Sequence, residues 1–249
     1  YGVLALPGKT LIVDAGGNDL LQVDANGKIS TLAVFPIREV PVPQPPPFPG
    51  LPDPFPMEFV PTSVALGPDG AYYVSQLTGF PFPVGEAGVY RVPAGGGEPE
   101  LFAGGFSAVV DLTFGPDGSL YVVEIAKYGL LQAELGGDPT GAVIRVAPDG
   151  SRYEVASEGL VLPGGIAFGP DGALYVTNYS VFPEMGEVVR ISDLTGTPLE
   201  EAAASLVSAS QAAGQSAPSW LLHGYQRPDL HRLASLLVDN RIFISIMQR

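Results

Sequence analysis

The sequence predicts an all-β protein with the architecture of a β-propeller. Two observations carry this prediction: a turn motif that recurs at near-regular spacing, and an unusual composition. Glycine (32) and proline (26) are abundant among the 249 residues, yet 46% of the chain is hydrophobic. A disordered chain would lack those apolar residues, so the composition favours many short strands joined by tight turns.

The turn motif Gly-Pro-Asp-Gly occurs at residues 67–70, 115–118 and 169–172. Each copy follows an apolar stretch and precedes a tyrosine–valine pair, after which a third apolar stretch begins. Proline presets the first central angle of a type I turn, and the final glycine takes the left-handed position. Each motif therefore predicts a turn between two antiparallel strands. The valine of each pair is predicted to be buried, namely Val74, Val122 and Val176.

Four strands per unit of about 40 to 50 residues is typical of a propeller blade, whereas a β-sandwich requires no such repeat. The predicted blades are 1–35, 61–104, 108–157 and 162–191. The segment 36–60 is rich in proline. Because proline cannot donate to a sheet ladder, this segment is predicted to be an extended loop between blades.

Segment 192–249 contains neither the turn motif nor the tyrosine–valine pair. It is predicted to be an atypical tail outside the propeller, helical or disordered. Its alanine-rich stretch, 198–213, begins with proline and predicts a helix, because proline is tolerated in the first helical turn.

Composition and charge narrow the classes of function. The net charge of −14 disfavours nucleic-acid partners, and no apolar run is long enough to predict a membrane span. The chain has no cysteine, and both histidines, His223 and His231, fall in the atypical tail. A Ser-His-Asp arrangement therefore cannot form within the predicted blades. No cofactor is predicted, because the glycine clusters are hairpin turns rather than phosphate-binding loops.

Several strings of residues carry a family resemblance. The most specific are 76–85 and 120–127, with further support at 1–8, 13–21 and 61–65. On these strings the chain resembles the ScyD/ScyE family, β-propellers associated with gene clusters for the extracellular pigment scytonemin and related to NHL and gluconolactonase-type propellers. The resemblance implies a six-bladed, TolB/NHL-like ring, of which about four blades are present here. It also implies an N-terminally truncated chain that is secreted or periplasmic, its signal peptide lost with the missing blades.

The mouth of the central channel is the expected place for a site. Residues that open an inner strand or follow a second strand are expected to line it, which gives as candidates Asp14, Ser63, Gln76, Asp111, Glu124 and Asn178. Asp111 and Glu124 belong to one predicted blade, so they could share a proton or a cation. The alternative is that Asp111 caps a turn and Glu124 is solvated at the rim. No metal site is predicted, because Thr62, Val110 and Gly164 occupy positions where a gluconolactonase-type cation needs ligands.

The loop that contains Phe80 and Phe82 is predicted to lie on the same face as the channel mouth. Rigid aromatic loops can bind apolar or aromatic ligands; the alternative is that these rings plug the channel. The leading hypothesis is an extracytoplasmic binding platform, accessory to the biosynthesis or export of an aromatic, scytonemin-like metabolite. Its partner would be an aromatic small molecule or a protein. The alternatives are a metal-dependent lactonase or esterase and an NHL-type protein-interaction scaffold.

The arc of blades is expected to be open, with no core shared between the first and the last blade. Side chains meant for missing neighbours are expected to be partly exposed or covered by the tail, among them Leu11, Val13, Val188 and Ile191.

Overall fold

The computed structural model describes residues 1–42 and 47–199, and its regular structure is almost entirely strand. The all-β prediction is confirmed. In chain order the first elements are β1 (Val3–Leu6), β2 (Lys9–Asp14), β3 (Asp19–Asp24), β4 (Ile29–Val34), β5 (Arg38–Val40), β6 (Phe55–Met57), β7 (Pro61–Leu66), β8 (Tyr72–Gln76), β9 (Ala87–Val92) and β10 (Glu100–Phe106). The remaining elements are β11 (Val109–Phe114), β12 (Leu120–Glu124), α1 (Leu130–Glu134), β13 (Ala142–Val146), β14 (Arg152–Ala156), β15 (Ile166–Phe168), β16 (Leu174–Asn178), β17 (Glu187–Ile191) and β18 (Thr197–Pro198).

These strands form four successive antiparallel sheets, which we call the first to fourth blades. The first blade is β1 to β4 and the second is β7 to β10. The third is β11 to β14 with β18 added at its outer edge, and the fourth is β15 to β17. Strands within a blade pair in sequence order, so each blade is a meander. Short turns suffice for such connections.

Each blade packs against the next through a separate apolar core. Leu11, Val13, Val74 and Tyr72 lie between the first and second blades. Two further clusters join the second blade to the third, and the third to the fourth. None of the three clusters in the described part of the chain combines side chains of the first and fourth blades.

The expected exposure of end-blade residues is correct for two residues and wrong for two. Val188 is 64% exposed, and Ile191 is half-buried. Leu11 and Val13 are fully buried. Side chains alternate between the two faces of a strand, and these two point toward the second blade rather than toward the free face of the first.

The three turn motifs join the first and second strands of the second, third and fourth blades, and the predicted burial of Val74, Val122 and Val176 is confirmed. In the third blade Gly118 has φ +79°, and its N–H donates to the carbonyl oxygen of Gly115 at 3.0 Å. The aspartate of this motif, Asp117, accepts the N–H of Ser119 at 3.1 Å. Local turn chemistry thus fixes where each second strand starts.

The first glycine of the motif is required by a tyrosine ring. A Cβ on Gly115 would lie 2.8 Å from Cε2 of Tyr121 and 3.1 Å from Cζ of Phe168. Tyr121 and Phe168 meet edge to face, with 5.1 Å between their ring centroids. Since Phe168 belongs to the fourth blade, the ring that covers this turn also packs against the next blade.

The proline-rich segment is more regular than the extended loop that was predicted. Arg38–Val40 and Phe55–Met57 pair as a two-stranded hairpin, with Glu39 opposite Pro56. Both strands of such a hairpin have a free edge, so proline is tolerated where no N–H is needed. The hairpin places Phe48 and Phe55 beside the loop that follows β8.

After β17 the chain turns back toward the third blade. Thr197–Pro198 pair with Tyr153 and Glu154 of β14, and Leu199 packs against the core between the second and third blades. Gly196, with φ +70°, approaches so closely that a Cβ would lie 2.8 Å from the carbonyl oxygen of Glu154. The helix predicted at 198–213 and most of the tail predicted from residue 192 lie outside the described residues.

Replacing the first glycine of a turn tests this packing. We expect Gly115→Ala to lower the free energy of unfolding by about 1–3 kcal/mol, because the added methyl group overpacks against Tyr121 and Asp117. Gly95→Ala is the matched control, since a Cβ there meets nothing within 4 Å. Urea unfolding of both variants measures the difference. Equal stabilities for the two variants would contradict the packing role.

Candidate functional site

The candidate residues lie at one end of the blades. Because neighbouring strands are antiparallel, the start of each inner strand and the end of each second strand meet at the same end. We call this the upper end and the end that carries the Gly-Pro-Asp-Gly turns the lower end. Ser63 and Asp111 are near the starts of inner strands, whereas Gln76, Glu124 and Asn178 end second strands.

Asp111 joins three blades at the inner rim of the upper end. Its Oδ1 accepts the N–H of Leu112 at 2.9 Å, and its Oδ2 accepts the N–H of Ile166, in the fourth blade, at 2.8 Å. The hydroxyl of Ser63, in the second blade, also hydrogen-bonds to this carboxylate. Burial raises the pKa of Asp111, and the hydrogen bonds oppose that rise only in part.

Hydroxyl groups continue this rim on either side of Asp111. Thr62 is buried and donates to the carbonyl oxygen of Val109 at 2.9 Å, while Ser75 lies 2.8 Å from the Thr62 hydroxyl. In the fourth blade, Thr177 accepts the N–H of Gly165 at 2.6 Å. The rim is therefore polar, and its hydroxyls are used largely to join strands.

Glu124 and Asn178 occupy equivalent positions in the repeat and hold the loops that lead into their blades. Oε1 of Glu124 accepts the N–H of Ser107 at 2.7 Å. The side chain of Asn178 accepts the N–H of Val161 at 2.7 Å and donates to the carbonyl oxygen of Gly159 at 2.8 Å. Both side chains are buried. They act as clamps between consecutive blades.

Burial also dominates the chemistry of Glu124. Its carboxyl group is enclosed, and desolvation raises its pKa to about 7. The hydrogen bond from Ser107 and the positive charge of Lys127 oppose this shift, while the charge of Glu154 adds to it. Lys127 and Glu154 form an ion pair at 2.7 Å beside the site. The expected alternative of a solvated rim carboxylate does not describe Glu124.

Asp111 and Glu124 are not brought into one site. The partners of Asp111 are in the second, third and fourth blades, whereas Glu124 faces the loop between the second and third blades. The charge of Glu124 does not enter the pKa shift of Asp111. A shared proton or cation therefore has no geometric basis in these two residues.

The other two upper-end candidates differ from each other in their environment. Asp14 is exposed and accepts the N–H groups of Gly16 and Gly17 at 2.9 and 3.2 Å, so it caps a hairpin turn. Gln76 is buried, and neither atom of its side-chain amide has a hydrogen-bond partner. A buried amide without partners costs free energy unless water satisfies it.

Phe80 is the centre of an aromatic cluster at the upper end. Its ring centroid lies 5.2 Å from that of Phe55, 5.8 Å from that of Phe48 and 6.2 Å from that of Phe82. Phe82 is buried, whereas Phe80 is only half-buried. Phe82 is thus enclosed by the protein, whereas Phe80 presents part of its ring at the surface.

The interpretation of the sequence missed Ser107, Lys127 and Glu154. The repeat does indicate the polar position that ends the second strand in the second, third and fourth blades, where Gln76, Glu124 and Asn178 coincide. Nothing in the local pattern points to Ser107, because its partner lies 17 residues away. Within residues 1–42 and 47–199, no group of three or more histidine, aspartate or glutamate side chains is arranged to hold a metal ion.

Comparison with known proteins supports the fold. No protein-family model and no curated sequence matches the chain. Among solved structures, a putative gluconolactonase is similar with a TM-score of 0.51 at 20% identity, over 79% of this chain and 62% of that one. The PQQ-bound aldose sugar dehydrogenase from Streptomyces coelicolor has a TM-score of 0.54 at 18% identity, over 78% of this chain and 60% of that one.

A gluconolactonase from Xanthomonas campestris is also similar, with a TM-score of 0.51 at 20% identity, over 76% of this chain and 56% of that one. At such identities the likeness shows the fold alone, and it confirms the predicted β-propeller. The chain spans about 62% of the length of the putative gluconolactonase that it matches. In the described part of the chain, no helix has the length and apolar character needed to cross a bilayer.

The buried carboxyl of Glu124 predicts a pH-dependent stability. Its folded pKa, about 7, lies above the ordinary value of 4.5, so folding favours the protonated form. This stabilisation is fully present below about pH 4.5 and is lost as pH rises through 7, a change of about 3 kcal/mol at most. We expect Glu124→Gln to remove this component from urea unfolding curves measured between pH 5 and 8.

The matched control for this experiment is Glu100→Gln, which changes an exposed carboxylate. It should leave the pH dependence of the parent protein unchanged. A Glu124→Gln variant that loses stability between pH 5 and 8 as steeply as the parent would show that Glu124 is not the titrating group.

Proposed function

We propose that this protein is an extracytoplasmic β-propeller that binds a neutral aromatic small molecule at its upper end. We assign it to the ScyD/ScyE type, accessory to the biosynthesis or export of an aromatic, scytonemin-like metabolite. The observation that carries the proposal is a cluster of four aromatic rings at the upper end: Phe48, Phe55, Phe80 and Phe82. Phe82 is buried, whereas the other three rings are only half-buried.

The loop that presents Phe80 is held in place before any ligand arrives. Gly79 packs closely against Glu58, the residue that follows β6, so that a Cβ on Gly79 would lie 3.0 Å from the backbone nitrogen of Glu58. The N–H of Phe82 donates to the carbonyl oxygen of Gly79 at 2.9 Å. A preorganised ring loses little conformational entropy on binding, which favours affinity for a flat aromatic partner.

Charge supports a neutral ligand. The chain carries a net charge of −14, so an anionic aromatic acid would approach against an unfavourable potential. Among the upper-end polar groups, Asp14, Glu124 and Asn178 are engaged with backbone groups. Shape and aromatic contact therefore carry recognition. The resemblance to the ScyD/ScyE family supports the location outside the cytoplasm.

Indole provides a simple test of aromatic binding. We expect indole to bind the protein, as followed by saturation-transfer NMR and calorimetry, while cyclohexanol binds more weakly. Phe80→Ala should weaken indole binding by about tenfold, equivalent to about 1.4 kcal/mol. The matched control is Phe102→Ala, which removes an exposed ring near the start of β10, where it contacts Tyr73 and no member of the cluster. Indole affinity that is unchanged by Phe80→Ala, or equally reduced by Phe102→Ala, would contradict the proposal.

A second candidate function is a metal-dependent lactonase or esterase. The observation that favours it is Asp111, a half-buried rim carboxyl with a raised pKa beside the hydroxyl of Ser63. Carboxyl groups with such shifts often serve as general acids or bases. The likeness to two gluconolactonases shows the fold only, so the activity is a proposal for this chain.

The lactonase alternative is tested by hydrolysis of glucono-δ-lactone with Mg²⁺, Ca²⁺, Mn²⁺ or Zn²⁺ added in turn. If Asp111 acts in the reaction, Asp111→Asn lowers the rate by about 100-fold or more, whereas Asp14→Asn leaves it unchanged. No hydrolysis above the rate of the buffer with any of the four cations would eliminate this alternative.

A further inference from the structure

The loop between β8 and β9, residues 77–86, presents Phe80 and is held differently at its two ends. We call it the aromatic loop. At its start, the N–H groups of residues 77–79 donate to backbone carbonyl oxygens of the segment before β7, at 2.8–3.3 Å. At its other end, the N–H of Gly85 donates to the side-chain hydroxyl of Ser107 at 3.3 Å. The end of the aromatic loop therefore depends on a side chain in the turn between β10 and β11.

Ser107 is in turn held by Glu124. Ser107 is only 5% exposed, and its backbone N–H donates to Oε1 of Glu124 at 2.7 Å. The same residue thus accepts a hydrogen bond from the aromatic loop through its side chain and donates one to a buried carboxyl group through its backbone. Gly85, Ser107 and Glu124 form a continuous chain of hydrogen bonds, which we call the relay.

The cations near Glu124 are engaged with other groups. Lys127, in the loop after β12, pairs with Glu154 of β14 at 2.7 Å. Arg152, also on β14, lies over the ring of Phe106, 4.7 Å from its centroid. The two cations lower the pKa of Glu124 and the charge of Glu154 raises it, but desolvation is the largest influence and brings the pKa to about 7. The carboxyl group is therefore easier to bury with its proton than without it.

We propose that the relay positions the aromatic loop, so that the affinity of the aromatic site falls when Glu124 loses its proton. This inference rests on the proposed function, because it describes how that same site is regulated. A charged acceptor strengthens the hydrogen bond from Ser107, yet an enclosed carboxylate whose cations are engaged elsewhere is costly to bury. Ionisation therefore favours an arrangement in which Glu124 reaches water. Because Ser107 helps to enclose Glu124, its displacement removes the acceptor of the Gly85 N–H and loosens the end of the loop.

The pH dependence has a defined direction. The pKa of Glu124, about 7, lies above its ordinary value of 4.5, so folding favours the protonated carboxyl group. The aromatic loop is therefore held best at low pH, and this support is lost as pH rises through about 7. By linkage, an aromatic ligand that requires the loop in place raises the pKa of Glu124 by a corresponding amount.

The relay is tested without ligand by the NMR amide resonance of Gly85 in the isotope-labelled full chain. We expect this resonance to shift with pH in the parent, with a midpoint near 7. The shift should disappear in Glu124→Gln and shrink in Ser107→Ala, which removes the hydroxyl acceptor. Glu100→Gln changes an exposed carboxylate and is the matched control, which should titrate as the parent does. A Gly85 resonance that does not titrate, or that titrates equally in Glu124→Gln, would overturn the inference.

The effect on binding is measured with indole, which stays neutral over this pH range. Indole should bind the parent about threefold more tightly at about pH 5.5 than at about pH 8.5, and Glu124→Gln should remove this difference. Ser107→Ala should weaken indole binding at the lower pH, whereas Ser107→Thr keeps the hydroxyl group and should stay within about twofold of the parent. Circular dichroism confirms that each variant is folded.

The two readouts separate this inference from the proposed function. Indole affinity that does not change with pH in the parent would overturn the inference while leaving the aromatic site in place. A lack of indole binding at both pH values would overturn the aromatic site instead, and the titration of Gly85 would then decide the relay alone.

Discussion

The contact on which most of this structure depends is a tyrosine ring packed on the first glycine of each turn. In the third blade the ring of Tyr121 covers Gly115 and touches Phe168 of the following blade. Because side chains alternate along a strand, the valine that follows each tyrosine must point the opposite way, toward the preceding blade. This one local contact therefore determines which side chains of a second strand enter the core shared with the preceding blade and which enter the core shared with the following blade.

The upper ends of the blades are joined by polar contacts instead. Asp111, Glu124 and Asn178 each bind backbone N–H groups of a neighbouring blade or interblade loop. Irregular backbone at a blade junction must have its N–H groups satisfied, and a buried side-chain oxygen does this. The price is desolvation of the carboxyl groups, which explains why the pKa values of Asp111 and Glu124 are raised.

These interblade contacts limit the number of upper-end groups that can bind a ligand. Most polar side chains at the upper strand ends hold neighbouring blades together. Ligand recognition therefore depends on the groups that make no such contact. At the upper end the chief such group is the half-buried ring of Phe80, supported by Phe55 and Phe82.

The sequence by itself determined the repeat, the strands and the buried valines, because turn chemistry and alternation act over a few residues. It also placed Asp111 and Glu124 at the upper end. Only the tertiary structure decided which polar groups are free. Asp111 accepts an N–H that is 55 residues away in the chain, and Glu124 accepts the N–H of Ser107, which is 17 residues away. Such partners are chosen by how the blades pack, and no local pattern encodes that geometry.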